Sequence, residues 1–500
     1  VSELLGANTE VQERHSESLS ADARRVQDIR VLAQRAVAEL QASWDGSDLV
    51  QLTQQWEQQT SPMLAGASAS LDTCAAQLRA QSAAQRAASS SYGGSLGSIP
   101  RTGSQPQAEP PMLTTPPEPP PQRGTPDANA TWWKSLSAQQ QRQVITAHPD
   151  WIGNRDGVAF TARDQANRIL LTVDRSRLEA DRSRILSALA GNWSRGAMAT
   201  ASTALDRIDD KLVSLDAIDA TLSKTHDRQL LLLDLGPEKA QAAIAVGNVD
   251  TADNVAVFVP GMSASVTESM KGFDQNMSQL RRRAEAQSGQ ATPTQAFTTA
   301  AVAWIGYQTP GLGWDLLSPN DSVAAENLAM KGAARLTPFL RGIGAARYHD
   351  AHLTLLGHSY GSTTAGLALT QHTGVDDVVF FGSPGLGTSH LHDLKLPAGH
   401  EYYIEAQWDA VGDFGVFGID PSHLDGIKHA SARESTVVEP GTGEIRHLKG
   451  ITGHTSYLDD STTSQYNMSV VVAGVPGRVV YDRGEDIGDV LSWPVPGTYP

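Results

Sequence analysis

The segment His352–Ser362 (HLTLLGHSYGS) constrains this chain more than any other stretch. Leu353, Thr354, Leu355 and Leu356 form a short uncharged run that reads as a buried strand. Gly357-His358-Ser359-Tyr360-Gly361 follows at once and fits Gly-x-Ser-x-Gly. Ser362–Leu369 (STTAGLAL) then has the small, apolar composition of a helix packed tightly on a sheet. Strand, sharp turn and helix are the context in which such a serine becomes a nucleophile. The turn forces the serine into a strained backbone conformation, and Gly357 and Gly361 omit side chains that would clash there. Oγ of Ser359 is then expected above the sheet, near a helix N-terminus whose dipole favours negative charge. A second match, Gly93-Gly94-Ser95-Leu96-Gly97, sits in a Ser/Gly-rich stretch with no strand before it and no helix after it, so it reads as linker.

Five hundred residues predict two or three domains. A net charge of −16, from 55 acidic against 39 basic residues, argues against nucleic-acid binding and against a polybasic membrane surface. Cys74 is the only cysteine, so an intrachain disulfide and a cysteine metal cluster are both excluded. No run of 18 apolar residues occurs, and no transmembrane segment is expected. The first twenty residues have neither a basic start nor an apolar core, so a conventional signal peptide is not expected either. Localisation stays open between the cytoplasm and export by another route.

Residues 1–90 read as a helical hairpin. Val26, Ile29, Ala33, Val37 and Leu40 recur at helical spacing, as do Leu49, Leu52 and Trp56, and then Leu71, Cys74 and Leu78. Trp44-Asp45-Gly46 stands between the two patterns, where glycine permits a reversal, and Pro62 is expected to kink or restart the second helix. This stretch resembles the WXG-type helical hairpins of type VII secretion substrates in Gram-positive bacteria. The resemblance implies export by that route and a helical-hairpin protein partner. It departs from the pattern after the hairpin, where Tyr92 is followed by Gly93–Leu96 and no Tyr-x-x-x-Asp/Glu tail is found. A plain amphipathic hairpin that pairs with itself or another surface is the alternative. Residues 91–130, rich in Ser and Gly and then in Pro (Pro110, Pro111, Pro116, Pro117, Pro119–Pro121), read as a linker.

Residues 131–227 read as helical, opening on Trp132-Trp133 and punctuated by His148-Pro149-Asp150. Charges of both signs interleave at helical spacing along Arg163–Leu189 and Leu205–Leu222, as on solvated helix faces. From 228 the pattern changes. Short apolar runs appear at Leu230–Leu235, Ala242–Val246, Val255–Pro260, Ala300–Ile305, Leu353–Leu356, Val378–Phe381 and Tyr402–Glu405, with weaker ones at Thr436–Val438 and Glu444–His447. Early strands in quick succession, then strands alternating with helices, predict a mostly parallel sheet with an antiparallel start. The expected class is α/β, with the architecture of an α/β hydrolase over 228–500.

A nucleophilic serine needs a base, and the base needs an orienting acid, in the chain order Ser, acid, His for this fold. Asp409 lies just past the strand Tyr402–Glu405 and is the first choice of acid, ahead of Asp413, Asp420 and Asp425; a turn or helix cap is its bland alternative. His454, in the loop Gly453–Tyr457 near the chain's end, is the first choice of base, with His429, His447 and His423 competing. His358 is too constrained in the elbow to serve its own neighbour. His390 and His392 stand two apart without a third ligand at sensible spacing, so no metal is expected, and no cofactor is called for. An oxyanion would be held by the backbone N–H of Tyr360 and by one from the loop Val259–Ser263, where Met262 is preferred and Gly261 is next. Thr309–Ile343, between the fourth run and the elbow strand, is either a packed crossover helix or a lid.

Residues 131–500 also resemble the actinobacterial α/β-hydrolase family of unknown function. The resemblance rests on Trp132-Trp133, His148-Pro149, Ile152-Gly153-Asn154, Val259-Pro260-Gly261, Ala303–Tyr307, Gly357–Ser362, Phe381–Gly385 and Gly453-His454. Ala410 stands where a proline is expected after the acid. The resemblance implies a serine hydrolase and supplies no substrate. The expected activity is cleavage of a carboxylic ester, on a small-molecule or lipid-like substrate, through an acyl-enzyme on Ser359; amides and thioesters are cleaved by the same triad, so the bond stays open. The alternative is a secretion-associated interaction protein or effector whose hydrolase domain is weakly active or inert.

Overall fold

The computed structural model describes residues 117–189, 195–291, 297–310, 319–409, 411, 419–439 and 443–482, with scattered positions between 20 and 83. Two compact units divide at residues 111 and 112. In the first, the scattered described positions are helical, and Arg30 Nη1 donates to Ser61 Oγ at 3.3 Å. Trp44-Asp45-Gly46 and the Ser95 motif lie outside the described residues.

The second unit opens with helices α1 (Pro126–Ser135), α2 (Ala138–Ala147), α3 (Phe160–Leu189) and α4 (Arg195–Leu222). Helix α1 starts inside the stretch read as linker. The signal was present in Thr125-Pro126-Asp127. Thr125 caps the helix by accepting from Ala128 N, Pro126 takes the first helical position where its missing N–H costs nothing, and Asp127 meets the positive end of the dipole. The end of the Pro-rich run lies against these helices. Trp132 Nε1 donates to Glu118 O and Arg155 Nη1 to Pro121 O, both at 3.1 Å.

Strands β1 (Arg228–Asp234), β2 (Gln241–Val246), β3 (Asn254–Val259), β4 (Thr299–Ile305), β5 (His352–His358), β6 (Asp377–Phe381), β7 (Glu401–Ile404) and β8 (Lys428–Ala430) form one sheet in the order β1-β2-β4-β3-β5-β6-β7-β8. β2 runs antiparallel to β1 and β4, and every other pairing is parallel. This is the α/β-hydrolase fold, with the antiparallel start expected from the closely spaced early runs. β9 (Ser435–Val438) and β10 (Ile445–Leu448) make a separate hairpin. The strand missed in the sequence is β8, a three-residue edge strand carrying Lys428 and His429 and no apolar run.

Both faces of the sheet are buried, which is why its strands read as continuous apolar runs. Side chains alternate: Ala256, Phe258 and Leu356 enter one core layer, and Val255, Val257, Leu353 and Leu355 the other. Leu171, Leu178, Leu215 and Ile218 of α3 and α4 cover the first face with Met270, Met277 and Leu280 of α5 (Val266–Ala291) and Met468, Val470 and Val471 of α8 (Thr463–Val472). The second face is covered by Leu336, Phe339, Leu340 and Ile343 of α6 (Pro319–Ala346) and by Ala365, Ala368 and Leu369 of α7 (Tyr360–Leu369). Among the described residues, no helix is long and apolar enough to cross a membrane.

At the N-terminal ends of β5 and β6, the buried carboxylate of Asp377 takes His352 Nε2 at 2.7 Å and His400 Nδ1 at 2.8 Å. Burial lowers the His352 pKa, but the hydrogen bond and charge of Asp377 outweigh it and the net shift is upward. A raised folded-state pKa adds stability that is complete below the unfolded value and is lost as pH rises through the folded one. His352→Gln is therefore expected to cost about 1.5–3 kcal/mol near pH 5.5, the contribution of a charge-assisted hydrogen bond, and less at pH 8. Urea unfolding of both proteins at the two pH values checks this, and a deficit that does not shrink with rising pH contradicts it.

Candidate active site

β5 ends at His358 and α7 begins at Tyr360, so one residue makes the whole turn. Ser359 sits there at φ 53° and ψ −134°, a conformation that costs a non-glycine residue about 1–3 kcal/mol. The turn is fixed by Ser359 N donating to Phe381 O at 3.0 Å and Ser362 N to Ser359 O at 2.9 Å. Close backbone approach explains the glycines. A Cβ on Gly361 would lie 2.3 Å from Val259 O, and one on Gly357 would lie 2.8 Å from Ser362 Cα.

Three loops at the C-terminal end of the sheet converge on this serine, where open α/β sheets place their sites. His454 Nε2 lies 2.7 Å from Ser359 Oγ. Its Nδ1 lies 2.9 and 3.0 Å from the two carboxylate oxygens of Asp409. An ionised carboxylate only accepts, so Nδ1 carries the proton and Nε2 is left to accept from the serine hydroxyl. The loops are tied to each other by their backbones, Gly453 N donating to Gln407 O at 2.9 Å.

Asp409 is almost fully buried and held on all sides. Tyr457 Oη donates to its Oδ2 at 2.6 Å and itself accepts from Ala406 N at 2.8 Å, while Val411 N donates to Oδ1 at 3.1 Å. Burial pushes the carboxyl up, but His454 and these hydrogen bonds outweigh it and hold the acid below the usual carboxylate range. The carboxylate is thus ionised wherever the imidazole needs it. Gly382, at φ 54°, closes the other side, where a Cβ would stand 2.8 Å from Asp409 Oδ2 and 3.1 Å from His454 Nδ1.

The loop after β3 packs directly on Ser359, since a Cβ on Gly261 would lie 2.6 Å from its Cβ and 3.0 Å from its Oγ. That loop is braced from β4. Tyr307 Oη donates to Pro260 O at 2.5 Å, Thr309 Oγ1 to Ala264 O at 2.9 Å, and Ser263 N to Pro310 O at 2.9 Å. The expected oxyanion donors thus lie on segments flanking Ser359: Tyr360 opens α7, and Gly261-Met262 follow β3.

Of the candidates named from the sequence, Ser359, Asp409 and His454 are the ones the structure brings together. Asp413 lies outside the described residues. Asp420 caps a short 3₁₀ turn through Ser422 N, and His447 meets Thr436 in the β9–β10 hairpin. His429 lies on β8 against Tyr403. His390, His392, His423 and Asp425 line a separate cleft of about 730 Å³ that contains none of the three. Tyr457 and Tyr307 were missed. Tyr457 lies in the Gly453–Tyr457 loop and Tyr307 at the end of the Ala303–Tyr307 run, but nothing local marks either as reaching a site.

A family model described as alpha/beta hydrolase matches residues 236–418. The uncharacterized protein Rv0963c of Mycobacterium tuberculosis is 32% identical over 244 residues, covering 47% of this chain and 88% of that one. The chain belongs to the alpha/beta-hydrolase family. A second relative of this alpha/beta hydrolase, the uncharacterized Mycobacterium tuberculosis protein Rv2079, is 32% identical over 310 residues, covering 59% of this chain and 45% of that one. Solved structures similar to the hydrolase include a cold-adapted esterase from an Arctic intertidal metagenomic library, at 10% identity and TM-score 0.30 over 51% of this chain and 97% of that one. A hyperthermophilic esterase from Pyrobaculum calidifontis aligns at 13% identity and TM-score 0.27 over 61% and 97%. Likeness at that distance does not bear on the chemistry.

Proposed function

We propose that this alpha/beta hydrolase is a serine esterase that cleaves a carboxylic ester through an acyl-enzyme on Ser359, with His454 as base and Asp409 as its orienting acid. The reading rests on one observation, the unbroken chain Ser359 Oγ–His454 Nε2 and His454 Nδ1–Asp409. In the first half-reaction Oγ bonds to the ester carbonyl carbon while its proton passes to Nε2. The carbonyl oxygen takes up the negative charge and is held by the N–H of Tyr360 with that of Met262 or Gly261. Collapse breaks the carbon–alkoxy bond, and the leaving alkoxide takes the proton from Nε2. Water, deprotonated by the same nitrogen, then attacks the acyl carbon, and the acid leaves as Ser359 regains its proton. Apart from the substrate and water, both half-reactions use groups of this chain, and a small-molecule or lipid-like ester is the substrate class proposed.

Labelling with a fluorophosphonate probe tests the reading. The wild type and Ser95→Ala are expected to label alike and Ser359→Ala not at all. Unlabelled wild type, or labelling that survives Ser359→Ala, overturns it. Hydrolysis of p-nitrophenyl esters graded by chain length then defines the acyl group.

A further inference from the structure

The first variable residue of the elbow, His358, has no part in the mechanism above, yet its side chain is aimed at the site. It ends β5 on the side where the His454 loop packs. Its ring stacks on Phe381 at 5.0 Å, lies 4.9 Å from the His454 ring and 5.9 Å from Tyr457. Its Nε2 is 2.9 Å from the backbone carbonyl oxygen of His454. A carbonyl oxygen only accepts, so Nε2 must carry the proton.

We propose that His358 is a positioning residue that clamps the backbone of the base His454 to the nucleophile's own turn. The inference rests on the esterase reading. The loop carrying His454 is tied on its acid side by Gly453 N to Gln407 O and on its serine side by His358. The clamp and the nucleophile are consecutive residues of one rigid elbow, so the peptide geometry that sets Ser359 Oγ also sets the backbone to which its base is attached. Proton transfer needs that 2.7 Å contact, and an ångström of misplacement costs about 10²-fold in rate.

The chemistry of the residue suits the task. Burial, and after it the neighbouring His454, push the His358 pKa down to about 4, so the ring stays a neutral donor across the pH range in which an ester hydrolase works. A lysine or arginine there would place a permanent positive charge beside an imidazole that must itself become positive. Phenylalanine would fill the space between Phe381 and Tyr457 but leave the carbonyl without a donor. Glutamine carries an N–H at a similar reach.

The test compares His358→Phe and His358→Gln with the wild type. His358→Phe is expected to lower kcat for a p-nitrophenyl ester about 30-fold, within the range for a misplaced catalytic group, with KM changed less than about twofold. His358→Gln is expected to recover most of kcat. Hydrogen–deuterium exchange supplies a readout that needs no turnover: backbone amides of 453–457 should exchange faster in His358→Phe and as in the wild type in His358→Gln. Wild-type kcat and exchange in His358→Phe overturn the clamp. So does an equal loss in both variants, which would mean that only the shape of the ring matters. If His358→Phe does not fold, recovery of kcat and loop protection in His358→Gln still decides, since failure there removes the role of the donor. An unlabelled wild type whose loop exchange still follows the donor would sink the esterase reading and leave the clamp standing.

Discussion

Replacing Asp409 with asparagine is expected to lower kcat/KM for ester hydrolysis about 10⁴-fold while leaving the fold intact. The side chain is isosteric, and its site already holds donors on several sides: His454 Nδ1, Tyr457 Oη and Val411 N. An amide presents one oxygen where the carboxylate presents two. If its nitrogen faces His454, the imidazole is forced into the other tautomer, with the proton on Nε2 pointing at Ser359 Oγ and no base left to take the serine proton. The oxygen could be kept toward Nδ1 only by turning the amide nitrogen onto Tyr457 Oη, which already accepts from Ala406 N. The imidazolium formed on attack also loses its counter-charge. His454→Ala should cost more, about 10⁶-fold, because the base itself is gone. The double variant His454→Ala with Asp409→Asn should be no worse than His454→Ala, since residues acting as a unit do not add. Progress curves on a p-nitrophenyl ester measure all of these. A loss below about tenfold in Asp409→Asn would mean that another group orients the base.

How much of this was legible in the sequence depends on the range of the signal. The elbow is local: strand, turn and helix occupy eighteen consecutive residues, 352–369, and each leaves its mark in composition. The seven strong apolar runs became the first seven strands because a sheet buried on both faces needs no alternation to be recognised. β8 failed that test for a physical reason: an edge strand of three residues has little to bury and carries Lys428 and His429. The start of α1 was legible and misread, since the Pro-rich composition before it masked the Thr125-Pro126 cap. Asp409 and His454 were preferred by chain order and by their places, one just past a strand and one in a late loop, and neither order nor place can say which of several acids and histidines meets the serine. That takes the tertiary fold, which sends His423 to another cleft, His429 to the sheet edge and His447 to a hairpin. Tyr457 and Tyr307 carry no local mark because what they touch lies about fifty residues away in each case, 48 from Asp409 and 47 from Pro260.

Gly361→Ala is expected to damage both stability and rate, and Gly272→Ala to do the opposite to stability. Both glycines are in helices, where alanine is intrinsically favoured by about 0.5–1 kcal/mol. Gly272 lies on the exposed face of α5 with nothing within 4 Å of its would-be Cβ, so it should show that gain undiminished. Gly361 lies in the first turn of α7 against the end of β3, and its Cβ would stand 2.3 Å from Val259 O and 2.5 Å from Pro260 O. Those are backbone atoms of a central strand and of the loop braced by Tyr307, and neither has room to retreat. Overpacking of this kind costs about 3 kcal/mol, several times the helical gain. Whatever yields must widen the gap between α7 and the loop carrying Gly261 and Met262. The two arms of the expected oxyanion hole then separate, and losing one such donor costs about 10²–10³ in kcat. The two effects share one cause, so thermal midpoint and kcat should fall together in Gly361→Ala, while Gly272→Ala raises the midpoint at unchanged kcat. A stable Gly361→Ala with full activity would show that the elbow and the β3 loop are looser than their contacts imply, and would remove the Gly261–Met262 segment from the oxyanion assignment.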